Sequence, residues 1–263
     1  MRPTLKGFLF SLALGALLTA AQLKATAQNA DGTVVQTAAE QLMALANQAR
    51  AQEGAPRLRW DPALTAAALK HCRRMAAEGP ISHRYTGEAD LASRAGQADA
   101  HFSVIEENVA VGPSAAVIHD GWMHSPGHRS NLLSPDVDRV GIAVVASRGV
   151  LYAVADYSRG VESMGGHEAE ARVAALIRSN GVAIMKDASV AREACAMNSG
   201  VPRSATPSPG FIMRWQDSQL EHLPSALTSR LSSGQYHRAA VGSCPAQGVQ
   251  GTFTAYRLAV LLY

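Results

Sequence analysis

Trp122-Met-His-Ser-Pro-Gly-His-Arg-Ser-Asn-Leu-Leu133 sets two histidines, two serines and an asparagine beside a tryptophan inside an alanine-rich region. It follows Glu106-Glu-Asn-Val-Ala-Val-Gly112 and precedes Arg139-Val-Gly-Ile-Ala-Val-Val145. Val140, Ile142 and Val144 alternate with Gly141 and Ala143, a half-buried strand. Ser147-Arg-Gly149 then turns the chain into a second strand from Val150 to Tyr157, a hairpin. Ser114 to Met123 has helical character and is broken by Pro126-Gly127. Phe102 to Val111 reads as a strand that carries Glu107 and Asn108.

Upstream, the Thr37-Ala-Ala-Glu40 capping-box pattern opens a helix that runs to about Glu53, with Gly54 as its stop. A second helix is capped by Asp61, begins at Pro62 and ends at Gly79-Pro80. Its inner face is Leu64, Ala67, Ala68, His71, Cys72 and Met75. Residues Ile81 to Gly96 read as loop, with a short helix near Asp90 to Arg94. Helices on both faces of a small antiparallel sheet give a three-layer α-β-α sandwich, so the fold class is α/β.

Beyond Gly160–Gly166, the candidate linker, residues 167–263 read as a smaller α/β domain. Helices are expected at Glu168 to Ser179, Ala188 to Met197 and Pro224 to Leu231. Strands are expected at Gly210 to Trp215, Arg238 to Cys244 and Thr252 to Leu262. The order echoes the first domain, but no motif there carries chemistry.

The N-terminus reads as a secretory leader over residues 1–27. Arg2 and Lys6 precede an apolar run from Phe8 to Leu18, and Ala25-Thr-Ala27 suits cleavage. The run is too short to span a bilayer, which needs about 20 apolar residues. The expected protein is secreted or periplasmic, with no transmembrane segment after cleavage. Of the 24 basic residues, Arg2, Lys6 and Lys24 leave with the leader and no acidic residue does, so charge balances. With no basic run interleaved with aromatics, nucleic acid is not an expected partner. In an oxidising compartment Cys195 and Cys244 are expected to pair. Cys72 reads as a buried small hydrophobe and is the competing partner.

Leu45-Ala-Asn-Gln-Ala-Arg50, Leu58-Arg-Trp-Asp-Pro62, Ser82-His83 and the blocks around Glu107 and His128 occur in an order that resembles the CAP superfamily. That superfamily, also called SCP-like, comprises cysteine-rich secretory proteins, antigen 5 and plant pathogenesis-related proteins of group 1. The likeness is to its bacterial branch and covers about residues 33–158, within an expected domain of 33–160. It implies the same three-layer sandwich and a groove lined by His83, Glu107, Ser125 and His128. Glu106 stands where the family has glycine, and the family's second acid would fall near Ser125 and is missing. The resemblance also implies that Asn47, Arg50 and Trp60 stabilise the fold. Asn108, Arg129 and Asn131 read as loop-to-backbone ties, and Trp122 as core.

Imidazole suits zinc, so His83 and His128 are candidate ligands for a shared divalent metal. The function implied is extracellular binding of a small apolar ligand, a metal or a cell-envelope component in the groove. A metal-assisted or His/Glu-dependent extracellular hydrolase is one alternative. An adhesive or structural envelope module is another. Ser125 near His128 and Glu107 lacks the G-x-S-x-G elbow of a serine hydrolase.

Overall fold

Two sheets, each faced by helices, organise the computed structural model, which describes residues 32–248 and 253–263. The expected leader lies outside the described residues. The first sheet contains β1 (Thr33–Val34), β2 (Arg59–Trp60), β3 (Phe102–Gly112), β4 (Arg139–Ser147) and β5 (Val150–Gly160). Its order is β1-β4-β5-β3, antiparallel, and β2 lies parallel to β4 beyond that path. The β4–β5 hairpin turns through Arg148 and Gly149, both at positive φ, where glycine carries no steric penalty.

Helix α1 (Gln36–Gln52) begins earlier than the Thr37 capping box predicts. Val35 is its N-cap because Val35 N–H donates to Val144 O at 2.9 Å, which ties the entry of the helix to β4. Thr37 therefore lies inside the first turn, and Glu40 accepts from Gln36 Nε2 at 3.2 Å. Helix α2 (Pro62–Glu78) matches its expected bounds, and the Asp61 carboxylate accepts from the Ala63 and Leu64 amides. All six residues of its expected inner face are buried.

Helix α3 (Leu91–Gln97) is capped by Asp90. Helix α4 (Ala115–His124) is capped by Ser114. Pro126 does break α4, but it also starts a further helix, α5 (Pro126–Leu133), that the sequence reading did not anticipate. Proline at the first helical position lacks only an N–H that has no intrahelical partner there.

Helices α1, α4 and α5 cover one face of the sheet. Leu42, Ile118, Trp122 and Leu132 pack there on Val140, Ile142, Val144, Ala155 and Tyr157. On the other face Ala68, Cys72 and Met75 of α2 meet Val109, Ala143, Val145 and Val154. This is the three-layer sandwich expected from the alternation of β4. The ties implied by the resemblance are present as well. Asn47 exchanges hydrogen bonds with the backbone of Leu58. Arg50 is fully buried and donates to the carbonyls of Pro56, Leu132, Ser134 and Val137. Arg129 differs: its guanidinium reaches the exposed carboxylate of Glu53 at 2.8 Å rather than a loop carbonyl.

The second sheet holds β6 (Ala183–Ile184), β7 (Phe211–Asp217), β8 (Arg238–Cys244) and β9 (Tyr256–Leu262) in the order β6-β8-β9-β7. Here β6 is parallel to β8 and the other pairs are antiparallel, repeating the β2/β4/β5/β3 pattern of the first. Helices α6 (Gly166–Ser179) and α8 (Ser225–Leu231) pack on one face and α7 (Ser189–Ala196) on the other. The disulfide Cys195–Cys244 fastens α7 to β8 as expected, with a Cα–Cα separation of 5.8 Å. Cys72 remains a buried thiol whose Sγ donates to Tyr152 O. Phe253, shortly before β9, meets Phe102 of β3 edge-on, with ring centroids 5.1 Å apart.

Candidate functional site

Strand alternation sends Glu107 and Val109 to the α2 face of the sheet and Glu106 and Asn108 to the α1 face. Glu107 is buried, yet both its oxygens are engaged. His83, in the loop between α2 and α3, places Nδ1 2.8 Å from Glu107 Oε1, and its side chain is 58% exposed. Arg94 Nη2, from α3, makes a short contact with Glu107 Oε2. The same guanidinium donates through Nη1 to His83 O at 3.0 Å and to Ala89 O at 3.4 Å. One arginine thus holds both the carboxylate and the backbone of the loop that presents the imidazole.

The hydrogen bond to Glu107 raises the His83 pKa, against the opposing effects of partial burial and of Arg94. The loop has a second anchor behind it. Buried His71 Nδ1 lies 2.8 Å from Glu88 Oε1 and its Nε2 lies 2.9 Å from Ser82 O, while Glu88 Oε2 accepts from the Tyr85 amide.

His128 is brought to β3 by amides rather than charges. Asn108 Nδ2 donates to His128 O at 2.9 Å, and Asn131 Nδ2 donates to Glu107 O and Asn108 Oδ1, each at 3.1 Å. Trp122 Nε1 donates to Val109 O and its indole is buried, consistent with its expected core role. Partial burial, with a smaller effect from the charge of His83, lowers the His128 pKa. The two histidines are therefore driven in opposite directions, His83 upward by Glu107 and His128 downward by burial and by His83.

Ser125 forms the joint between α4 and α5, where its amide donates to Trp122 O. Among the described residues no hydrogen bond joins its side chain to His128 or Glu107. Nor, among the described residues, are three or more His, Cys, Asp or Glu side chains grouped to hold a metal ion. Glu107 is already committed to Arg94 and His83.

Two residues of this network were not singled out from sequence. Arg94 read only as the end of a short helix. Asp156 lies inside an apolar strand, Ala-Val-Ala-Asp-Tyr, where a lone charged residue was the available signal. It is fully buried and is the Cα partner of Glu107 across β3 and β5.

The concavities lie beside this network or away from it. One of about 450 Å³ is lined by Lys70, Arg74, Glu88 and Arg94, behind the His83 loop. Another, of about 610 Å³, is lined by His101, Met164, Ser243, Phe253 and Tyr256 and is remote from Glu107. His83 is thus an exposed imidazole resting on a buried carboxylate and guanidinium.

Residues 43–157 match the model of the cysteine-rich secretory protein family, CAP. Among curated proteins, the uncharacterized membrane protein YlbC of Bacillus subtilis (strain 168) is 31% identical over 115 residues, 42% of this chain and 32% of that protein. The chain thus spans about a third of that relative's length. Among solved structures, an outer surface protein from Borrelia burgdorferi aligns with a TM-score of 0.46 at 19% identity, covering 49% of this chain and 98% of that one. An extracellular protein containing a SCP domain from Bacillus anthracis aligns with a TM-score of 0.43 at 25% identity, over 47% and 40% of the two chains. Among the described residues no helix is long and apolar enough to cross a membrane.

Proposed function

We propose that this protein is an exported binding protein whose binding domain contains residues 43–157, the stretch that matches the model of the cysteine-rich secretory protein family, CAP. On this reading the binding face takes in the His83–Glu107 pair at β3 together with His128 and Ser125. The observation that carries the reading is the pairing of exposed His83 with buried Glu107, itself held by Arg94. Such a base keeps the His83 imidazole fixed in orientation and biased toward its charged form. It suits a polar or anionic group of a cell-envelope component better than a purely apolar ligand. On this reading residues 1–27 are the export leader, 33–160 the binding domain and 167–263 a disulfide-fastened second domain.

The test is retention on purified cell-envelope material. The full chain should bind, and the His83→Ala/His128→Ala double variant should lose at least tenfold in affinity while keeping its melting transition. Equal retention by the double variant would move recognition to another surface and favour an adhesive module. Turnover of the bound material that depends on His83 would instead favour the hydrolase.

A further inference from the structure

We propose that Asp156 is a neutral carboxylic acid sharing a single proton with Glu107, and that it is a positioning residue fixing the charge of the Glu107–His83 pair. The two are Cα partners on adjacent antiparallel strands and project to the same face, which places directly opposed side chains about 5 Å apart at Cβ. Asp156 is 0% exposed and Glu107 6%. Two carboxylates are thus enclosed side by side.

The surroundings supply one strong cation. Arg94 of α3 engages Glu107 Oε2, and the loop residue His83 takes Oε1. On the other side of Asp156, β4 offers Gly141, which has no side chain. From α2 the nearby ionisable group is Cys72, whose thiol burial pushes up to about 12, so it contributes no charge. Tyr157, next on β5, is held neutral by burial and points to the opposite face. Neither Asp156 oxygen meets a hydrogen-bond donor at normal distance.

A second full negative charge here would be buried, unpaired and beside a like charge, and a bound proton removes all three costs. Burial first, then the charge of Glu107, push the Asp156 pKa well above its ordinary value, and Arg94 opposes them only in part. A proton on Asp156 turns repulsion into a hydrogen bond donated to Glu107. Glu107 then stays a singly charged acceptor for Arg94 and His83. The acid that the CAP resemblance expects near Ser125 is absent, so Asp156 supplies a second carboxyl to this site from beneath the groove.

The consequence for binding rests on the function proposed above, but the protonation does not, and the experiment reads it directly. The full chain is prepared with ¹³Cγ-labelled aspartate, and the Asp156 signal is identified by its loss in Asp156→Asn. At about pH 6, where exposed aspartates are ionised, the Asp156 signal should hold the protonated position. In Glu107→Gln the Asp156 titration midpoint should fall, because the neighbouring like charge is gone while Arg94 remains. The His83 titration midpoint, followed by imidazole NMR, should be unchanged in Asp156→Asn and fall in Glu107→Gln. An ionised Asp156 at pH 6 in the unmutated chain would overturn the proposal, and that spectrum decides even if Glu107→Gln does not fold. An Asp156 titration midpoint that does not fall in folded Glu107→Gln would equally refute the sharing. Neither readout changes if envelope binding fails.

Discussion

A Cβ on Gly141 would lie 2.2 Å from the carbonyl carbon of Leu64, so the backbone of α2 rests directly on β4. Real side chains do not tolerate that approach, and the obstacle is backbone, which cannot rotate away. Gly141→Ala must therefore lift α2, the helix that leads into the His83 loop. The expected cost is about 3 kcal/mol or more, at the upper end of overpacking penalties. Chemical denaturation measures it. Gly121→Ala in α4 is the control: its Cβ would meet nothing within 4 Å, and the change should be neutral or stabilise by about 0.5–1 kcal/mol.

Arg94 is 4% exposed and spans Glu107 and the His83 carbonyl. Arg94→Ala leaves Glu107 buried with its main cation gone, a loss of about 3–5 kcal/mol. Faster amide exchange across residues 82–90 should accompany it. Unchanged protection in that loop would show that His71 and Glu88 alone hold it.

His83 gives a pH signature of the pair. Its folded pKa is raised, so the stabilisation is complete below the unfolded value of about 6.5 and is lost as pH rises through the folded value. With its side chain 58% exposed the contribution is small, because solvent screens the pair. Asp156 acts in the same direction by another route. Folding retains its proton while the unfolded chain releases it above about 3.8. Stability should fall with pH above that value by up to about 1.4 kcal/mol per unit until the folded group ionises. Asp156→Asn should remove this slope, as thermal melts at stepped pH will show.

Glu170 of α6 accepts from Arg192 Nε at 2.8 Å and Nη2 at 2.6 Å, and from the Ser243 amide and hydroxyl at 2.8 and 2.9 Å. Burial opposes these contacts, yet together they lower its pKa to about 2. Glu170→Gln should cost about 2 kcal/mol at neutral pH, in the range for hydrogen bonds to charged groups. The stabilisation is present above the unfolded value near 4.5 and fades as pH falls toward 2. A variant whose deficit is independent of pH across that window would contradict the assignment.

The thiol of Cys72 is fully buried, with a pKa pushed up to about 12 by burial. It should resist alkylation in native protein at neutral pH and react only on unfolding. Peptide mapping without reductant should recover Cys72 as a free thiol beside a Cys195–Cys244 crosslink.

Much of the first domain was legible because its signals are local. Asp61, Pro62 and Gly79 delimit α2 within a few positions, and the two-residue period of β4 announces a half-buried strand. Pro126 was misjudged because a proline that ends one helix can equally begin the next, and only the turn at Ser125 decides. His83 and Glu107 were reachable through ordered motifs. Asp156 and Arg94 were not, since their roles arise from cross-strand register and a long side chain crossing from α3, neither of which has a fixed spacing. The Thr37 box failed for the converse reason: a favourable local pattern yielded to the tie between Val35 and Val144.

A Cβ on Gly242 would lie 2.2–2.3 Å from the backbone of Arg192 and Ala191 in α7, the same close approach that Gly141 makes to α2. Following the rung outward from each glycine gives Gly141, Asp156 and Glu107 in one sheet and Gly242, Ala259 and Arg214 in the other. Where the first has two acids, the second has a methyl group and a guanidinium, and Arg214 spends its donors on the carbonyls of Ala194 and Gly200. The molecule thereby holds its own reference state: a scaffold of matching topology that folds with no carboxyl at that rung. The close glycine-to-helix packing is thus common to the two sheets, while the acid pair belongs to the first alone.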